Sequence, residues 1–133
     1  MSTKKSLKWF VLLIFACGLL AACGHSTVQI GFVQNKIGDH WNAHYNTFIG
    51  TKSTSVKASA GQTLTLNYDV TVTKGELGLK VTNPSGDSLW EVNLQDDSKD
   101  TVQIPIDQDG RYAIAITGKD DNSGSWDITW AVK

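Results

Sequence analysis

The sequence predicts an all-β protein, a single antiparallel β-sandwich of jelly-roll type, and three observations carry that expectation. Apolar and polar residues alternate with period two in six separate runs, the runs are rich in Thr, Val, Ile and aromatic residues, and turn-forming residues recur between them at roughly ten-residue spacing. The three-and-four apolar spacing of an amphipathic helix is missing from these runs. With 133 residues, 41% hydrophobic and 19% charged, the chain has room for one such domain, which excludes large catalytic barrels and two-domain enzymes.

The first run is the longest: Leu64, Leu66, Tyr68, Val70 and Val72 alternate with Thr63, Thr65, Asn67, Asp69, Thr71 and Thr73. Leu77, Leu79 and Val81 form the second, Trp90, Val92 and Leu94 the third, and Val102, Ile104 and Ile106 the fourth. Tyr112, Ile114 and Ile116 make the fifth, and Trp126, Ile128, Trp130 and Val132 the sixth. Asn83-Pro84-Ser85-Gly86-Asp87, Asp107-Gln108-Asp109-Gly110 and Asp120-Asp121-Asn122-Ser123-Gly124 carry turn chemistry, and Thr73-Lys74-Gly75-Glu76 reads as the tightest turn of all. Strands with one polar and one apolar face pack as two antiparallel sheets, and a small closed barrel is the alternative that satisfies the same periodicity.

Ahead of the sandwich lies an export signal. Residues 1–8 carry Lys4, Lys5 and Lys8 with no acid, and residues 9–22 contain no charge, a stretch short of the roughly 20 apolar residues that span a bilayer. Leu20-Ala21-Ala22-Cys23 resembles the lipobox of bacterial lipoproteins. That resemblance implies a diacylglyceryl thioether on Cys23, cleavage before it, and often a further acyl chain on the freed amine. Several chains on one residue make a lasting membrane anchor where a single chain holds only marginally. Ordinary cleavage leaving a free Cys23 is the competing outcome. The organisation expected is a signal peptide over residues 1–22, a lipidated N-terminus and spacer over 23–46, and the sandwich over 47–133. Within the spacer, Val28-Gln29-Ile30-Gly31-Phe32 alternates like a short strand, so the segment reads equally as spacer or as one strand paired with the sheet. The location expected is the extracytoplasmic face of the cell membrane.

Maturation removes Cys17 and consumes the Cys23 thiol, so no disulfide staples the fold. Loss of Lys4, Lys5 and Lys8 takes the 12 basic residues to 9 against 13 acids, moving the net charge from −1 to −4. Nucleic-acid binding, which needs a concentrated basic surface, is excluded.

Three stretches, Ala60-Gly61-Gln62-Thr63-Leu64-Thr65-Leu66, Val81-Thr82-Asn83-Pro84-Ser85-Gly86 and Asp109-Gly110-Arg111-Tyr112-Ala113-Ile114-Ala115-Ile116-Thr117-Gly118, fall in the same order as in bacterial pre-peptidase C-terminal domains. Residues 52–133 are similar to that small β-sandwich. The resemblance implies the fold and an accessory role in binding or secretion. Those domains sit beside a catalytic domain, whereas here the sandwich follows the lipid anchor, so no functional residue is carried over.

Candidate chemistry falls in three places. His40 and His44, four apart beside Asp39, offer zinc ligands if the segment is helical; in a strand they lie about 13 Å apart, and the glutamate of a zinc hydrolase is absent. Asp107, Asp109, Asp120, Asp121 and Asn122 offer hard oxygen ligands, and calcium bridges turns that share one end of a sandwich. Trp41 and Tyr45 offer aromatic faces for a sugar ring or a protein partner, while Trp90, Trp126 and Trp130 fall on the apolar phase of their runs. Asp96 and Asp97 sit in a hydrophilic stretch, 95–100, that reads as a solvated loop. No nucleophile elbow or phosphate loop is present. The reading is a non-catalytic, monomeric envelope module without a cofactor, partnered by the membrane through Cys23 and by an envelope protein or polysaccharide. The alternative is a small metal-dependent envelope enzyme, or its accessory subunit, using the His40/His44 region and the acidic turns.

Overall fold

Seven strands make up most of residues 27–133, the part of the chain that the computed structural model describes. The export segment and the Leu20-Ala21-Ala22-Cys23 motif lie outside the described residues. The strands are β1 (Val28–Ile30), β2 (Val33–Ile37), β3 (His40–Ala58), β4 (Thr63–Thr82), β5 (Ser88–Leu94), β6 (Ser98–Pro105) and β7 (Gly110–Val132). Every pairing between them is antiparallel.

β3, β4 and β7 hold 19, 20 and 23 residues, where five or six are usual. Each bends once, and the bends coincide. The β3–β7 ladder slips between Tyr45 and Phe48 and again before Gly50, while the β4–β7 ladder slips between Val72 and Lys74 and again before Glu76. Opposite these slips, Asp120 and Asp121 take left-handed conformations, at φ 56° and 54°. Bulges of this kind turn a strand without ending it.

One hydrogen-bonded sheet is thereby folded into two layers. The first runs β2-β3-β7-β4-β6, using residues 40–45, 124–132 and 63–72 of the long strands. In the second, residues 50–58, 110–118 and 76–82 of the same strands are followed by β5, and β1 pairs with the bend of β3. Rings of Tyr68 in the first layer and Trp90 in the second lie 5.7 Å apart, so the layers face each other. The architecture is the expected antiparallel sandwich, with open edges rather than a closed barrel.

Alternation explains what is buried. Leu64, Leu66, Val70, Trp126 and Ile128 from one layer meet Leu77, Leu79, Val81, Tyr112, Ile114 and Ile116 from the other in one core. Burial of each such side chain stabilises the fold by about 1.5–3 kcal/mol.

Two expectations need correction. Thr73-Lys74-Gly75-Glu76 and Asp120-Asp121-Asn122-Ser123-Gly124 are bends inside β4 and β7, so the first and second apolar runs are one strand, and so are the fifth and sixth. The spacer boundary also moves. Residues 28–46 supply β1, β2 and the start of β3, and Trp41, Ala43 and Tyr45 point into the core, so the sandwich begins at Val28 rather than at residue 47.

The three bends are tied together by Asn122, which is fully buried. Its Oδ1 accepts from the Tyr45 hydroxyl at 2.6 Å, and its Nδ2 donates to the Lys74 carbonyl at 3.0 Å, joining β7 to β3 and β4. Phe32, Trp41, Tyr45, Phe48 and Trp126 close the same end with ring centroids 5.5–5.7 Å apart.

Burial pushes the Tyr45 phenol well above its ordinary value of 10.0. Above that pH the unfolded chain loses this proton while the folded chain keeps it. Stability should therefore fall as pH rises, by up to about 1.4 kcal/mol per pH unit. Tyr45→Phe is expected to cost about 1–2 kcal/mol near pH 8, because Asn122 Oδ1 is left unpaired. Its deficit against wild type should shrink by pH 11 in urea denaturation. A deficit of constant size would show that Tyr45 does not titrate with folding.

Candidate functional site

The polar phase of the first layer gathers the side chains best able to bind a ligand. Alternation sends one set of residues inward and its neighbours outward, and the register lines the outward set into rows across the sheet. One row reads Asn35, Asn42, Asp127, Asp69 and Lys99; the next reads Ile37, His40, Thr129, Asn67 and Thr101. The middle of this face is a concavity of about 650 Å³ lined by Asn67, Asp69, Lys99, Asp100, Thr101, Asp127 and Thr129.

Asp69 and Asp127 sit directly opposite each other on adjacent strands. Like charges so placed destabilise a sheet by up to about 1 kcal/mol. Donors lie on either side of the pair: Lys99 is the cross-strand partner of Asp69, and His40 Nε2 donates to Asp127 Oδ1 at 2.7 Å. The Thr101 hydroxyl donates to Asn67 Oδ1 at 2.6 Å and its backbone N–H to Asp100 Oδ1 at 2.8 Å, which fixes the acceptor side of the groove. The result is an open surface with paired carboxylate acceptors in the centre and amide, hydroxyl and ammonium donors around them.

The residues singled out from the sequence are distributed differently. His40 and His44 share this face, but β3 is extended there, which puts their Cα atoms about 13 Å apart and dismantles the proposed zinc pair. The two acidic turns lie at opposite ends of the second layer. Gly110 to Lys119 spans roughly 30 Å of β7, so Asp107 and Asp109 share no ion with Asp120 and Asp121. Asp109 Oδ1 is engaged by the Ala60 N–H at 2.8 Å, and Asn122 by the bend. Among the described residues, no three His, Cys, Asp or Glu side chains gather as a metal-ligand set. Trp41 and Tyr45 are 3% and 4% exposed and pack in the aromatic cluster, so neither presents a face to a sugar.

Asn67, Asp69, Lys99, Asp100, Thr101, Asp127 and Thr129 are not among the candidates the sequence offers. The alternation marked most of them as the solvent side of a strand. Ser98, Lys99 and Asp100, read as loop, open β6.

No protein-family model matches the chain, and a sequence search of the curated proteins finds no match. Solved structures do match. The chain is similar to TmCBM61, solved in complex with β-1,4-galactotriose, at 15% identity over 81% of this chain and 85% of that one, with a TM-score of 0.56. It is similar to the enzymatically active domain of bacteriophage CBA120 tailspike protein 4 at 8% identity, over 81% of this chain and 19% of that one, with a TM-score of 0.51. A CBM4 structure aligns over 78% of each chain at 12% identity and a TM-score of 0.48. At such identities the likeness establishes the fold, a β-sandwich of the kind found in carbohydrate-binding modules.

Proposed function

We propose that the protein is a non-catalytic carbohydrate-binding module, held on the extracytoplasmic face of a bacterial membrane by acyl chains on Cys23, and that the outer face of its first layer takes a neutral polysaccharide. The opposed Asp69 and Asp127 carry the reading. Two adjacent carboxylates accept paired hydrogen bonds from the adjacent hydroxyls of a sugar ring, and such charge-assisted bonds are stronger than neutral ones. Lys99, Asn67 and Thr129 serve the ring oxygens. Asp69, Asp100 and Asp127 outnumber Lys99, which disfavours uronic or phosphate polymers. The lipobox supports the anchor, and the fold shared with TmCBM61 supports a sugar-binding scaffold.

Among the described residues no Trp or Tyr ring lies in the concavity as a stacking platform; Tyr68, at its floor, is buried. Binding led by hydrogen bonds to a wet surface is weak, with Kd of order 0.1–1 mM. Titration of residues 27–133 with β-1,4-galactan, mannan and mixed-linkage glucan, followed by amide chemical shifts, tests this. Shifts are expected around residues 67–69, 99–101 and 127–129 for at least one polymer. Asp127→Ala should weaken that binding at least about tenfold, as expected for loss of a charge-assisted bond, with an unchanged melting temperature, while Ser55→Ala on the second layer leaves it intact. Shifts confined to the second layer, or none with any polymer, would remove the proposal.

A further inference from the structure

The edge formed by β1 and β2 carries exposed aliphatic side chains that lie outside the concavity, with Ile37 at the outer end of the His40 row. Val28, Ile30, Val33 and Ile37 are 38%, 55%, 58% and 71% exposed, and they are the exposed large hydrophobic residues among those described. They alternate along the two strands and turn away from the core. From this edge we infer a second contact surface: β1 and β2 lie on the lipid headgroup and upper acyl region of the membrane, with the sandwich standing above them.

Three observations choose lipid as the occupant. Only four residues separate Cys23 from Val28, so an acylated Cys23 holds β1 within about 17 Å of the glycerol backbone. Residues 27–38 contain Lys36 and no Asp or Glu, although residues 23–133 carry 9 basic against 13 acidic groups. This edge is therefore the part of an acidic domain least repelled by anionic lipid. Phe32, between the two strands, packs on Tyr45, Phe48 and Trp126 at 5.6–5.7 Å, and Lys52 Nζ lies 4.9 Å over its ring, so the edge is pinned to the core. Four partly exposed side chains fall well short of the roughly 800 Å² per partner of a stable dimer. A lipid surface has no such minimum, and contact needs immersion of only about 5–10 Å.

This inference rests on the proposed acylation of Cys23, and the experiment separates the two. The mature lipoprotein, its Cys23 mass determined first, is placed in phosphatidylcholine–phosphatidylglycerol vesicles with brominated acyl chains. An environment-sensitive fluorophore is attached at Val33→Cys, Ile37→Cys or, on the second layer, Ser55→Cys. Quenching of about twofold or more is expected at positions 33 and 37 and little at 55, given that depth of immersion. Absence of quenching at 33 and 37 in protein with a verified acyl mass overturns the inference. So does a label that becomes shielded only as protein density rises and stays unquenched by bromolipid, because a second copy then covers the edge. If Cys23 proves unmodified, acylation fails alone: a hexahistidine tag in place of Cys23 on nickel-chelating lipid supplies the tether, and the same readout decides whether the edge meets the membrane.

Discussion

Asn122→Ala is expected to lower the thermal midpoint by roughly 10–20 °C. The residue is buried at the point where β3, β4 and β7 bend, and its side-chain amide accepts from Tyr45 and donates to the Lys74 carbonyl. Alanine leaves the buried Tyr45 hydroxyl and the part-buried Lys74 carbonyl without this bond and opens a void, which together cost about 2–4 kcal/mol. The double variant with Tyr45→Phe should cost less than the sum of the single ones by about 1 kcal/mol, since both remove the same bond. Differential scanning calorimetry of the four proteins measures both effects. A midpoint within a few degrees of wild type would mean that the bends are held by the bulged ladders alone.

Gly124→Ala should be comparably damaging for a different reason. Gly124 lies in β7 just past the bend, at φ 151°, and a methyl group there would collide with the Thr71 carbonyl oxygen of the neighbouring strand. The obstacle is backbone, so relief requires moving β4 against β7. Left-handed strain and overpacking together cost about 2–5 kcal/mol. Gly61→Ala is the control: it has φ 91° but open space around the added carbon, and should cost about 1 kcal/mol. Urea titration distinguishes them, and equal losses would show that the dihedral angle, not the collision, sets the requirement for glycine.

The strands were legible because period-two burial is written directly into their residues. Leu64, Leu66, Val70, Ile114, Ile116, Trp126 and Ile128 are all buried on the expected phase. The bends were not legible, because Gly75, Asp120 and Asp121 supply the positive φ that serves equally for reversing a chain and for folding a sheet over. A hint lay in the missing return: between Val72 and Leu77 the pattern resumes without the loop length that a change of layer through a separate strand needs. Near the N-terminus, the mixture of His, Trp and Tyr resembles a functional cluster. Read as alternation, Trp41, Ala43 and Tyr45 against His40, Asn42 and His44 is one more strand, with its aromatics inward. The candidate site escaped for a topological reason. Asp69 and Asp127 are 58 positions apart in the chain, and only the β4–β7 register places them side by side.

The unbroken course of β3, β4 and β7 through both layers bears on how the domain would behave under load. In a sandwich whose layers are joined by loops, traction on a glycan bound at Asp69 and Asp127 as proposed would cross from one layer to the other through side-chain contact. Here it passes along covalent backbone, around corners fastened by Asn122, and the ladders on either side of β7 share it in shear. If the proposed polymer capture and Cys23 anchor hold, fluid flow on the polymer would strain the short β1–β3 and β2–β3 pairings at the N-terminal edge before it parted the layers.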